Sequence, residues 1–165
     1  MDDRIQNLVA AHRRISEERM RGLPIFNERL DVEAVGFRSA DGRPLGVLIS
    51  PWFLNLVLLP GPDDDWSDVR VGSPCVWEFP AGQYEFHAAE LPGVGTHYTA
   101  ALFSTVADFP DQATARAVAE GVMERLFSKT LSRDPETVRR GSGDVLFDRS
   151  MSRRGLLRRV MLMPD

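Results

Sequence analysis

LGVLISPWFLNLVLLPG, Leu45 to Gly61, is a strongly apolar run broken once by Ser50-Pro51-Trp52 and again by the single Asn55. A bilayer span needs about 20 consecutive apolar residues, so this run is too short and too interrupted to be one. It reads instead as two buried strands, or as strands with a sticky surface between them. Pro51 has no N–H to give a sheet ladder, so one strand, Leu45 to Ser50, ends or bends there and another, Phe53 to Leu59, follows. That bend places Trp52 at an irregular corner.

Upstream, Val32 to Arg38 reads as a strand, and Ala40-Asp41-Gly42 is a turn signal that joins it to Leu45–Ser50 as a hairpin. Ile5, Leu8, Val9, His12 and Ile15 recur at helical spacing. Residues 2–21 are therefore expected to form an amphipathic helix, ended by Gly22 and Pro24. Downstream, Pro60 to Asp65 (PGPDDD) is an acidic loop, and Pro80-Ala81-Gly82 announces a strand in which Tyr84, Phe86 and Ala88 alternate with Gln83, Glu85 and His87. Such alternation gives one dry and one wet face.

Leu91 to Gly95 is turn-rich, His97 to Ser104 reads as a strand, and Asp111 to Phe127 is the clearest helix, with Asp111 as N-cap and Ala115, Val118, Ala119, Val122 and Leu126 as its core stripe. Consecutive strands without intervening helices predict an α+β fold. Its expected form is a mainly antiparallel sheet of about five or six strands flanked by an N-terminal and a C-terminal helix. Residues 1–127 are expected to be one domain, and 128–165 a basic, flexible tail with a short helix.

The chain has 165 residues, 43% hydrophobic and 27% charged, enough for one ordinary core. Its net charge of −4 is uneven: residues 128–165 carry nine basic and five acidic side chains, which leaves −8 on residues 1–127. An acidic body suits a basic peptide better than nucleic acid, whose phosphates demand a basic face. Cys75 stands alone, which excludes an internal disulfide, and no Cys/His spacing suggests a metal; no cofactor is expected. Cys75 near Trp77 and Phe79 reads as a small buried hydrophobe. Residues 1–21 lack the apolar core of a secretory signal, so a cytoplasmic location is expected, without membrane insertion.

Catalytic motifs are sparse. No GxSxG occurs, Gly93 and Gly95 lack a phosphate-loop context, and Glu85 with His87 is either an acid–base pair or the wet face of a strand. Trp52, Phe53, Leu54 and Asn55 are core fillers one by one, or together a partner-binding patch. Asp63, Asp64 and Asp65 are a solvated loop or the acidic half of an arginine site. Ser152 to Arg158, SRRGLLR, reads as part of a short basic amphipathic helix; it also carries the pattern of a twin-arginine export motif, Ser/Thr-Arg-Arg-x-Phe-Leu-Lys, in a C-terminal place where it cannot act as one.

DGRPLGVLISPWFLNLVLLPG, FPAGQYEFHAAE and AALFSTVADFPDQATARAVAEGVMERLF, taken in order from about Asn27 to Phe127, resemble the HybE/HupJ family of nickel–iron hydrogenase assembly chaperones. SPWFLNLVLLPG is the specific block. The resemblance implies a cytoplasmic, non-catalytic accessory protein that holds immature hydrogenase subunits, notably the small-subunit precursor with its twin-arginine signal, with the large subunit and other maturation proteins as further partners. It carries over Pro51, Trp52, Asn55, Pro60, Gly61, Gly82 and Glu85 as motif positions. Some family members have a fused rubredoxin domain, and this sequence has no CxxC pair for one. Thr105-Val106-Ala107 departs from the more apolar, Pro-containing continuation of the family. A small enzyme using Glu85 and His87, and a structural oligomer, are the competing classes.

Overall fold

The computed structural model describes residues 3–103 and 105–128. The chain runs α1 (Asp3–Ile15), a π-helical turn (Ser16–Met20), β1 (Glu33–Ala40), β2 (Arg43–Ile49), β3 (Leu54–Leu58), β4 (Pro74–Phe79), β5 (Gly82–Leu91), β6 (Gly95–Phe103) and α2 (Gln112–Leu126). All strand pairs are antiparallel, in the spatial order β1-β2-β3-β6-β5-β4. The α+β class and six-stranded antiparallel sheet are as the sequence predicts. The expected helix tail 152–158 and the whole region 129–165 lie outside the described residues.

The hairpin of β1 and β2 closes where expected. Asp41 and Gly42 both adopt positive φ, 52° and 81°, as the tight turn that matches strand twist requires. Gly46 in β2 is there for space: a Cβ would lie 2.3 Å from the Phe37 ring on the neighbouring strand. Pro51 ends β2 as anticipated, and Ser50 N–H donates to Phe53 O at 2.9 Å to close a turn only two residues long. β4 has no counterpart in the sequence reading. Its inward residues Cys75, Trp77 and Phe79 alternate, but Val76 between them is also apolar and is 56% exposed, so no wet face marks the strand. Cys75 is half-buried rather than buried.

Strand alternation divides the apolar side chains between two faces. Leu45, Val47, Ile49, Leu54, Leu56, Leu58, Phe86 and Leu102 meet Ala115, Val118, Ala119, Val122 and Leu126 of α2 in the main core. The opposite face carries a smaller cluster, in which Leu48, Val57 and Leu59 meet Ile5 and Leu8 of α1. Each fully buried leucine contributes about 1.5–3 kcal/mol, so both helices are held mainly by packing. α2 begins at the expected cap, Thr114 N–H donating to Asp111 Oδ1 at 2.7 Å, and is tied to β1 by Arg116 donating to Glu33 at 2.7 and 2.9 Å.

Candidate partner-binding surface

α1 packs over the β1-β2-β3 half of its face, where His97 at the start of β6 is also buried. Across β6, β5 and β4, the same face presents Thr99, Ala101, Gln83, Glu85, His87, Val76 and Glu78, most of them exposed. The register aligns them. Asn55 pairs with Ala101, Glu85 pairs with Val76, and His87 opposite Thr99 sets Glu85 opposite Ala101. One row therefore runs Asn55, Ala101, Glu85, Val76, and two strand spacings put Asn55 and Glu85 about 10 Å apart. Small, apolar and acidic groups alternate along it.

Glu85 and His87 do lie on one face, with Nε2 of His87 3.2 Å from Oε1 of Glu85. Their side chains are 35% and 52% exposed on open sheet, with no enclosing walls. General acid–base work by such a pair would require a substrate positioned against this face.

Trp52 stands at the end of this face. Ser50 Oγ accepts from the N–H groups of Phe53 (3.0 Å) and Trp52 (3.3 Å), which fixes the turn. The Trp52 ring stacks on His12 of α1 with centroids 6.4 Å apart, and meets Phe53 edge-on at 5.3 Å. His12 donates from Nδ1 to Leu8 O at 2.9 Å, and burial holds its pKa below the ordinary histidine value. Trp52 is half-buried, one side packed on His12 and Phe53. Pro51 is buried, and its carbonyl accepts from Asn27 N–H at 2.7 Å. The Asn27 side chain in turn donates from Nδ2 to the carbonyls of Val106 (2.9 Å) and Phe109 (3.0 Å), so three loops meet at this corner.

The acidic run is elsewhere. Asp63, Asp64 and Asp65 follow the far end of β3 from Trp52, and Asp64 is already engaged, accepting from Arg43 at 2.7 and 2.9 Å and from Gly61 N–H at 2.7 Å. The Arg43 guanidinium holds the Asp64 carboxyl below the usual range. A Cβ on Gly61 would lie 2.9 Å from Gly42 O, so this loop closes tightly on the hairpin turn. Asp65 accepts from Ser67 N–H and Oγ at 3.1 and 2.6 Å, while Asp63 is exposed. The structure thus brings Trp52, Asn55 and Glu85 to one side and leaves the three aspartates apart from them.

Two carboxylates that the sequence reading passed over lie at the Trp52 corner instead. Glu28 and Asp31 border a cavity of about 320 Å³ that Pro51, Phe26, Leu30 and Ser16 also line. Their only sequence signal is an acidic residue on either side of Arg29-Leu30. Among the described residues, no group of three His, Cys, Asp or Glu side chains is arranged to hold a metal ion, and no helix is long and apolar enough to cross a membrane.

The sequence model of the family described as "[NiFe]-hydrogenase assembly, chaperone, HybE" matches residues 3–159. The chain is 39% identical over 154 residues to the hydrogenase expression/formation protein HoxT of Azotobacter vinelandii, covering 93% of this chain and 94% of that one. It is 44% identical over 127 residues to a protein of Rhodobacter capsulatus named "Probable rubredoxin HupJ", covering 77% of this chain and 46% of that one, so it spans less than half the length of that relative. Among solved structures, the solution structure of HybE from Escherichia coli superposes with a TM-score of 0.61 at 24% identity, covering 79% of this chain and 78% of that one, which shows the same fold. By the extent of the family match and the identity to its curated relatives, the chain belongs to the HybE family of nickel–iron hydrogenase assembly chaperones.

Proposed function

We propose that this protein is a cytoplasmic, non-catalytic chaperone that holds immature hydrogenase subunits, with the twin-arginine signal of the small-subunit precursor as its principal ligand. The large subunit and other maturation proteins are further partners. The observation that carries the reading is the half of the sheet left open beside α1. Its Asn55–Ala101–Glu85–Val76 row offers carboxylate, amide and small apolar contacts in line, and Trp52, in the turn that leads into β3 three residues before Asn55, is the aromatic anchor. An extended basic–apolar segment laid across it pairs its cations with Glu85 and Glu78 and its apolar side chains with Val76 and Ala101. Pro51 holds the corner in shape. Asp63, Asp64 and Asp65 have no part in this contact, because Asp64 is held by Arg43 and the run follows the other end of β3.

The test is co-purification of the tagged chain with the small-subunit precursor, made with and without its signal segment. Capture that depends on the signal, and that falls at least tenfold with Glu85→Gln, supports the reading. Signal-independent capture moves the client surface to the folded subunit. Turnover of any kind abolished by His87→Ala would favour an enzyme instead, and an obligate oligomer without peptide affinity a structural protein.

A further inference from the structure

The cavity at the Trp52 corner has the chemistry of a pocket for one arginine side chain. Phe26, Leu30 and Pro51 supply the apolar part of a lining that is otherwise polar. That part takes the three methylenes of an arginine stem, which gain from burial while the head stays polar. At the mouth stand Glu28 and Asp31, both exposed, with no ion pair or hydrogen bond to either carboxylate among the described residues. Asp31 is placed by its backbone alone, its N–H donating to Gln112 Oε1 at 2.8 Å. Inside the cavity wall lies Ser16, only 7% exposed, whose hydroxyl has no hydrogen-bond partner among the described residues. Its oxygen still reaches solvent, so it can exchange water for a hydrogen bond to an entering group. Its backbone is set by the π-helical turn, where Arg21 N–H donates to Ser16 O at 2.9 Å.

The surroundings select among cations. Arg21 also lines the cavity and makes no ion pair with Glu28 or Asp31, so two carboxylates against one resident cation leave a net negative charge. A planar guanidinium can span two carboxylates and stack on Phe26, which a lysine ammonium cannot do. Beyond Glu28 and Phe26 the surface continues into an open cleft edged by Leu23 (44% exposed) and Ile25 (57% exposed), a wet location for two large apolar side chains. That cleft is placed for apolar residues neighbouring the arginine.

From this arrangement we infer that Glu28 and Asp31, with Ser16, Phe26, Leu30 and Pro51, form an arginine-specific subsite for a client segment in which arginine is followed by large apolar residues. The inference rests on the proposed peptide-binding function and extends its contact surface from the open sheet around the Trp52 corner.

The experiment titrates the full chain into a fluorescent Ser-Arg-Arg-Gly-Phe-Leu-Lys peptide, and into versions with each arginine replaced by neutral, isosteric citrulline, by anisotropy. The proteins are the parent, the double variant Glu28→Gln/Asp31→Asn, Glu85→Gln, and Glu120→Gln on the exposed side of α2 as control, all checked for unchanged thermal midpoint. The expected result is at least a tenfold loss of affinity for the double variant. One citrulline peptide should lose about as much on the parent and little more on the double variant, the non-additivity that marks direct contact. Unchanged affinity in the double variant with a loss in Glu85→Gln would overturn the subsite and leave the open-face reading standing. No binding by the parent would overturn both. A loss that citrulline does not share would also overturn the subsite, because the carboxylates would then act through overall charge.

Discussion

One face of one sheet is used in two ways. On β2 and β3, Leu48, Val57 and Leu59 are at most 1% exposed beneath α1, and His97 at the start of β6 is buried with them; on β5, β4 and the rest of β6, the same face carries exposed Ala101, His87 and Val76 and half-buried Glu85. The two halves are joined by the β3–β6 ladder, whose register shifts once between Leu54 and Asn55 and is otherwise regular, so most of the difference lies in side chains. Where they are branched and apolar the sheet recruits a helix from its own chain. Where they are small, acidic or singly apolar, it remains a surface that water tolerates and a partner can use.

The sharpest way to break this contrast is to hollow out the covered half. Leu8→Ala should cost about 2–5 kcal/mol in urea unfolding, whereas Val76→Ala on the open half should stay within about 0.5 kcal/mol. Comparable losses would mean that the open half is also structural. Acid should act on the covered side next. Burial depresses the pKa values of both His12 and His97 below the ordinary 6.5. As pH falls through 6.5 the unfolded chain takes up protons that the folded chain refuses, so stability falls with pH from there until the folded rings themselves protonate. Urea midpoints between pH 7.5 and 5 check this, and His12→Phe should flatten part of the slope. Smaller again is Asp64→Ala, at about 1 kcal/mol for a bidentate pair still partly in solvent, with Asp63→Ala near zero. Trp52→Ala sharpens the boundary between the halves: the expected outcome is weakened peptide capture with a cooperative unfolding transition retained, and loss of that transition would make Trp52 a core residue.

Local patterns carried most of the fold. The Asp41-Gly42 hairpin, the stop at Pro51, the alternation from Tyr84 to Ala88 and the stripe and cap of α2 each follow from residues within a few positions of one another. β4 was hidden because Val76 is apolar on the wet side, and the order that inserts β6 between β3 and β5 is a long-range choice that no local signal encodes. The same distinction governs the site. Glu85 and His87 share a face by parity alone, but Asn55 joins Glu85 only through β6. Asp64 meets Arg43 21 positions earlier, and Glu28 and Asp31 reach Pro51 because Asn27 anchors their loop. Pairings of that kind were not legible from spacing.

Asn27 has a consequence for motion. Its amide and N–H join the segment 22–30 to the turn after β2 and to residues 106–109. Three loops that would each fray separately are thereby fastened at one post, and they should open and close as a single cooperative unit. A client that grips any one of them slows the breathing of all three.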